Sequence, residues 1–417
     1  MVSLKKELDW FTVFLWFGLS MIGLIAIYSA TQGPVSEFLP SVIQNNFWKQ
    51  LLFVGLSTGL LFSLQFINPS IFKNFSYLAY GLSLLLMIYT LFFGQEINGA
   101  KSWLRFGGFG LQSSEFMKIT TILAAANYLT SRRNLSAEKI RYALVSFIII
   151  LVPTGLVIAQ NDFGTAIIFI ALIPVILFWS GLPYGVALLM ISPAIILYLS
   201  VFDWLYGAIA LVLLTIAVFF LQKSKWLSLV SLIMGTATVA AVQFALTNVL
   251  QPHQVARIIA FTNPSYDPTG AGWNVIQAKT AIGSGGWFGK GFLEGTQTQL
   301  RFLPEQWTDF IFCVVGEEFG FLGASILIIV FMIFLLRLLH LSVNHKHPFA
   351  QLVTLSVASV YFMHFFINVG SATALLPVIG IPLPFISYGG SAFIANTLML
   401  AICLNMDLYK REFSIYS

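Results

Sequence analysis

The chain has 417 residues, of which 58% are apolar and only 9% are Asp, Glu, Lys or Arg, and its mean hydropathy is +0.88. A soluble domain carries roughly 25% charged residues, so a water-soluble globule and a disordered chain are both excluded and a polytopic membrane protein remains. The formal charge of +5 then bears on orientation in a bilayer, not on nucleic-acid affinity.

A spanning helix takes about 20 mostly apolar residues. In chain order twelve segments qualify: 10–31, 47–67, 74–94, 115–131, 140–160, 163–181, 183–202, 204–222, 226–248, 309–336, 350–370 and 390–408. The first lacks a small-residue cleavage pattern and reads as a span, not a cleaved signal. The fourth is the least apolar, because it opens on Glu115 and Lys118. Only Asp203 separates the seventh from the eighth, so this stretch is either two full spans or one re-entrant hairpin. Cys313 and Cys403 both sit in apolar runs, which leaves no disulfide framework and no clustered zinc site. The whole of 1–417 reads as one integral membrane domain, all-α in class.

Basic residues set the orientation. With a cytoplasmic N-terminus, the inner loops hold Lys5, Lys6, Lys73, Arg132, Arg133, Lys139, Arg141, Lys223, Lys225, Arg337, Lys346, Lys410 and Arg411. The other side keeps Lys49, Lys101, Arg105, Lys118, Arg257, Lys279, Lys290 and Arg301. Four of these lie in the long segment 249–308, and loops of that length translocate largely regardless of charge. Both termini are therefore expected in the cytoplasm and 249–308 outside.

Long connections are usually functional or disordered. Disorder does not suit 249–308, which carries Trp273, Trp287, Phe288, Phe292, Phe302 and Trp307 among its glycines. The run Gly283-Ser-Gly-Gly-Trp-Phe-Gly-Lys-Gly291 is not a Walker motif: its glycine spacing differs, and Gly291 stands where Ser or Thr belongs. It reads either as tight turns or as a backbone that approaches an anion, with Lys290 as a point charge.

Asp309 follows this segment, with Thr308 as a plausible N-cap that would put Asp309 at the first helical position. An acid there is favoured by the helix dipole, and an ionisable group at the edge of hydrocarbon is also a functional candidate. Desolvation would raise its pKa, while the dipole and nearby cations would lower it. Glu317 and Glu318 either form a second acidic pair lining the same cavity or mark a broken helix at Gly316 and Gly320. Glu115 and Lys118, at i and i+3, share a helix face and make either a structural ion pair or a substrate contact. The five histidines, His253, His340, His345, His347 and His364, form no HExxH motif, so histidine metal ligation is not expected.

Four stretches carry a family resemblance. They are Asn98-Gly-Ala-Lys-Ser-Trp103 with Gln112-Ser-Ser-Glu-Phe-Met-Lys118; Gln160-Asn-Asp-Phe-Gly-Thr-Ala166; the long run from Asp267 through Gly295-Thr-Gln, Phe302-Leu-Pro-Glu and Thr308-Asp-Phe-Ile-Phe to Gly316-Glu-Glu-Phe-Gly320; and Asn368-Val-Gly with Leu376 to Ser391. In these the chain resembles the SEDS proteins (shape, elongation, division and sporulation), and within them the elongation branch. It departs from their pattern at Ser113 and Asn161, where proline is usual, and at Trp307, where histidine is common.

The resemblance implies a SEDS fold of ten spans, here about twelve, with 183–225 as an added two-helix insertion. It implies a peptidoglycan glycosyltransferase that polymerises lipid II at the outer face of the cytoplasmic membrane. The GlcNAc 4-hydroxyl would attack MurNAc C1 with inversion, and the family's catalytic Asp maps onto Asp309 as general base. Glu115, Lys118, Arg257, Lys279, Lys290, Arg301, Gln297, Glu305 and Ser387 are the expected substrate contacts. The cations among them, or a divalent cation, would meet the leaving diphosphate. A class B penicillin-binding protein is the expected partner. The competing readings are a lipid II flippase, a division-type polymerase, and a scaffold for other wall enzymes.

Overall fold

The computed structural model describes residues 7–33, 40–97, 99–106, 109–131, 139–179, 183–249, 255, 258–259, 261–267, 270 and 272–410. Lys5, Lys6, Asn98, Arg132, Arg133, Arg257 and Arg411 lie outside these. Each of the twelve apolar segments is helical. The helices are α1 (Trp10–Gln32), α2 (Asn46–Ser63), α3 (Ser76–Phe93), α4 (Ser113–Thr130), α5 (Lys139–Ala159), α6 (Phe163–Trp179), α7 (Tyr184–Phe202), α8 (Trp204–Gln222) and α9 (Lys225–Phe244). After these come α10 (Trp273–Ser284), α11 (Ile311–Asn344), α12 (Pro348–Ala372) and α13 (Gly390–Leu408). Among the described residues nine helices are long and apolar enough to cross a membrane; α4 is too polar to be among them, and the described apolar stretches of α5 and α6 are too short. Helix α10 lies inside the segment expected only as a loop.

The chain divides into two units, Met1–Ile173 with Gln277–Ser417, and Pro174–Ile276. In the first, α13 is the central helix. It is buried along nearly its whole length and packs on α2, α4 and α12. Side-chain to backbone bonds tie it to the end of α2: Asn405 donates to the Leu64 and Ile67 carbonyls at 2.8 and 2.9 Å, and Gln65 donates to the Ala401 carbonyl of α13 at 3.2 Å. Such bonds satisfy groups that hydrocarbon cannot. In the second unit α7 and α8 are separate 19-residue helices, each long enough to span. With α9 they enclose a core of Ile196, Ala210 and Leu211. Asp203 caps α8 by accepting from the Leu205 N–H at 2.8 Å.

A three-stranded antiparallel sheet, β1 (Gln95–Ile97), β2 (Ala100–Phe106) and β3 (Phe109–Gln112), leads from α3 into α4. The apolar periodicity pointed only to helices and missed it. The signals available in the sequence were the dipeptides Asn98-Gly99 and Gly107-Gly108, both of a kind common in hairpin turns. The Lys101 N–H donates to the Gln160 carbonyl at 2.9 Å, and Gln112 donates to Asp162 Oδ2 at 2.8 Å. Asp162 also accepts from the Thr165 N–H and hydroxyl at 3.1 and 3.0 Å, which caps α6. Asn161 has φ +60°, a conformation closed to proline, so asparagine at this departure from the family pattern suits the turn.

The two ends of the first unit differ. One end gathers the sheet, 160–162, 296–309 and 373–389, with Gln306 donating to the Ala30 carbonyl at 3.2 Å. The other holds the forked Arg337–Asp9 pair, with N···O distances of 3.0 and 2.8 Å, and the Lys410–Asp407 pair at 3.2 Å. The carboxyl of Asp9 is held below its ordinary range because its bonds to Arg337 and Thr12 outweigh the cost of burial.

Helix α11 is broken at Gly320, which has φ +65° and ψ −163°. The glycine-rich run docks on the break backbone to backbone. The Phe321 and Leu322 N–H groups donate to the Gly286 and Trp287 carbonyls, while the Lys290 and Gly291 N–H groups donate to the Glu317 and Glu318 carbonyls, all at 2.8–3.1 Å. A Cβ on Gly320 would stand 2.3 Å from the Gly289 nitrogen. Gly285, Gly289 and Gly320 are therefore there for a close approach of two chain segments, and the helix break holds at Gly320 but not at Gly316. Gly320→Ala should lower stability by more than about 2 kcal/mol through left-handed strain and overlap. Gly283→Ala, where a Cβ would meet nothing within 4 Å, should stay within about 1 kcal/mol of the parent. Thermal melts in detergent followed by tryptophan fluorescence test both; equal melting of the two variants would contradict this account of the break.

Candidate active site

The site is built on the turn from Arg301 to Phe310. Arg301 and Glu305 take φ +61° and +50°, which folds the chain back while Leu303 and Gln306 point inward, each 1% exposed. The Thr308 and Asp309 N–H groups both bond the Glu305 carbonyl, at 3.1 and 3.0 Å. This corrects the expected cap. Phe310, not Thr308, precedes the first residue of α11, Ile311, and the Thr308 hydroxyl donates back to the Glu305 carbonyl at 3.1 Å where a cap would accept from a helix-start amide. Asp309 thus lies just outside the helix.

The segment between α12 and α13 supports this turn from below. The Tyr388 N–H donates to the Trp307 carbonyl at 2.8 Å. Ser387 donates its hydroxyl to the Thr308 carbonyl at 2.6 Å and accepts from the Leu383 N–H at 2.8 Å. Asn368 of α12 donates to the Asp309 carbonyl at 3.1 Å and the Ile381 carbonyl at 2.8 Å. Gly380, at φ +79°, faces the acid itself: a Cβ there would lie 3.4 Å from Asp309 Oδ2. The backbone of Asp309 is fixed by these bonds.

Electrostatics favour a carboxyl that holds its proton more tightly than usual. Burial first, and the negative charge of Glu305 second, push Asp309 up to about 6, against a smaller opposing pull from the Thr308 hydroxyl. Burial also raises Glu305. The Arg301 guanidinium, on the same turn, is pushed down by burial. Among the described residues it forms no ion pair, so its charge is not neutralised internally.

The other expected contacts divide. Lys290 is committed to Glu317 Oε1 at 2.7 Å and to the Thr296 hydroxyl at 2.6 Å, a structural pair that leaves its charge spent. Gln297 gives its N–H to the same carboxylate at 2.8 Å. Thr298 adds a further backbone bond to Glu317 at 2.9 Å, and Glu318 accepts from the Ser29 hydroxyl and from Gln299 at 3.1 Å. The two glutamates hold the 284–299 loop on α11 and α1. Lys279 is exposed on α10. Glu115 and Lys118 pair at 2.9 Å, 2% and 0% exposed as residues, and Lys118 also reaches His364 Nε2 at 3.0 Å. Ser387 bonds backbone only. Arg257 lies outside the described residues. Among the described residues no group of three or more His, Cys, Asp or Glu side chains could hold a metal. The positions the sequence left unassigned are His364, Asn368 and Gly380; His364 and Asn368 are spaced i, i+4 on one face of α12, and that was the available signal.

Comparison with known proteins follows the same lines. The pattern of the FtsW/RodA/SpoVE family, described as cell cycle proteins, matches residues 8–208 and 186–412. The chain is 34% identical over 434 residues to the peptidoglycan glycosyltransferase RodA of Treponema pallidum (strain Nichols), covering 98% of each. A solved chain from a peptidoglycan synthase complex that coordinates polymerization and crosslinking is 26% identical, with a TM-score of 0.68 over 96% of this chain and 98% of that one. The rod shape determining protein RodA of Thermus thermophilus is 25% identical, with a TM-score of 0.63 over 97% and 98%. With a match to its defining pattern that reaches from residue 8 to 412, the chain belongs to the FtsW/RodA/SpoVE family, the SEDS proteins that its motifs resemble.

Proposed function

We propose that this multi-pass membrane protein is a peptidoglycan glycosyltransferase of the elongation branch, which polymerises lipid II with Asp309 as general base. The observation that carries the reading is the Asp309 carboxyl itself, pushed up to about 6 and held by its backbone just ahead of a membrane-spanning helix. A base works best with a pKa near the operating pH. A lipid-linked substrate is confined to the bilayer, so an acid at the mouth of a spanning helix meets its sugar at the right depth.

In the reaction the GlcNAc 4-hydroxyl attacks MurNAc C1. The new C1–O bond forms as the C1–O bond to the lipid diphosphate breaks, and its electron pair leaves with the diphosphate. The hydroxyl proton passes to Asp309. A single displacement inverts the anomeric centre, and no second carboxylate is required as a nucleophile. The un-neutralised guanidinium of Arg301 lies on the same turn and is the cation offered to the developing phosphate charge.

The Asp309 end of the first unit is assigned to the outer face of the cytoplasmic membrane. The Asp9–Arg337 and Asp407–Lys410 end is assigned to the cytoplasm, with both chain termini. The basic-residue distribution supports that assignment. We assign 183–225 as a two-helix addition to ten family spans; the family pattern matches in two segments that overlap over 186–208, which supports it. The likeness to a chain of a polymerising and crosslinking complex supports a transpeptidase partner of the class B penicillin-binding type.

Asp309→Asn should leave the thermal melt unchanged and lower glycan formation from purified lipid II by at least about 100-fold, the contribution of a positioned base. Full activity would remove Asp309 from the role. In the parent, kcat/KM should fall below a pH of about 6 as Asp309 gains its proton. Glu305→Gln removes a neighbouring negative charge that favours the protonated form, so this acid limb should move to lower pH. A limb that stays in place, or moves up, would contradict the coupling of the two acids.

A further inference from the structure

His364 lies a full helical turn before Asn368 on α12 and is 2% exposed. Its ring is held at both nitrogens. Nε2 is 3.0 Å from Lys118 Nζ, and Nδ1 is 3.0 Å from the Pro382 carbonyl oxygen. The Lys118 ammonium has donors and no acceptor, and it already donates to Glu115 at 2.9 Å. Nε2 therefore accepts, and Nδ1 carries the hydrogen and donates to Pro382. This network assigns a neutral ring in one tautomer.

Pro382 belongs to the segment that supports the reacting acid. Two residues earlier, Gly380 faces Asp309 Oδ2. One residue earlier, the Ile381 carbonyl shares the Asn368 amide with the Asp309 carbonyl. His364 and Asn368 thus grip consecutive carbonyls of 381–382 from one helix face, and only Asn368 reaches Asp309 directly. From this geometry we infer that His364 is a positioning residue: through Nδ1–H on Pro382 it fixes the 380–382 segment against the Asp309 carboxyl, while Lys118 holds its tautomer. The inference rests on the polymerase reading and adds to it a residue that touches neither substrate nor reacting atoms. Small misplacements of a reacting group are costly in rate, so the effect belongs in kcat and not in substrate binding.

The test uses the purified full chain, steady-state kinetics on lipid II, and three variants. Asn at 364 places an amide N–H near the Nδ1 position, Gln places one near Nε2, and Leu supplies neither. His364→Leu and His364→Gln should lower kcat by about 10-fold or more with KM within about twofold, and His364→Asn should recover most of the loss. An Asn variant as slow as the Leu variant, a Leu variant as fast as the parent, or a change confined to KM would overturn the inference. If the Leu variant does not fold, the Asn–Gln difference decides: a clear advantage for Asn supports the role and equality removes it. The two readings fail separately. A parent that forms no glycan sinks the polymerase reading and this inference with it. An active parent, an inactive Asp309→Asn and three equal His364 variants sink only the positioning role.

Discussion

The bonds between two loops, 305–309 and 380–388, hold the site together. Asn368, Ser387 and the Tyr388 amide take the carbonyls of Asp309, Thr308 and Trp307. Successive carbonyls at the mouth of a helix would otherwise need water, which is scarce near hydrocarbon. Once they are taken from below, the Asp309 backbone is held in place, and its carboxyl is buried on the turn that also carries Glu305. The fixed geometry makes the raised pKa useful, because a base that moved into water would lose both its placement and its perturbation.

A second set of bonds supports the first. The break at Gly320 frees amides and carbonyls of α11, and the glycine-rich run supplies their partners. Glu317 and Glu318 then fasten the loop through Lys290, Gln297, Thr298, Ser29 and Gln299. Their charges sit at the edge of a spanning helix, where an isolated carboxylate is expensive, and the loop's own donors offset that cost. Residues that look like substrate groups in a sequence, an acid pair and a lysine among glycines, therefore serve to seat the loop that delivers the Arg301–Asp309 turn.

Much of the architecture was legible because membrane helices announce themselves by length and apolarity. All twelve segments are helical, and Asp309 stands out as an acid beside an apolar run. The misses have physical causes. Strands β1–β3 are too short and mixed for a hydropathy reading, though Asn98-Gly99 and Gly107-Gly108 are sequence signals of a hairpin. Thr308 has the chemistry of a cap, but its hydroxyl is donated to the Glu305 carbonyl inside the turn. Lys290 and Glu317 are 27 residues apart in sequence, so their pairing depends on the helix break and is invisible to local spacing. The same holds for Gly380 against Asp309.

The account stands on a carboxyl whose proton affinity is set by burial and a like-charged neighbour. The most direct measurement is an infrared titration of the purified protein labelled with carboxyl-13C aspartate, with Asp309→Asn as the subtraction. A difference band that titrates at a pH of about 6 is the predicted result. A band that titrates near 4, the range of a solvated aspartate, would contradict it.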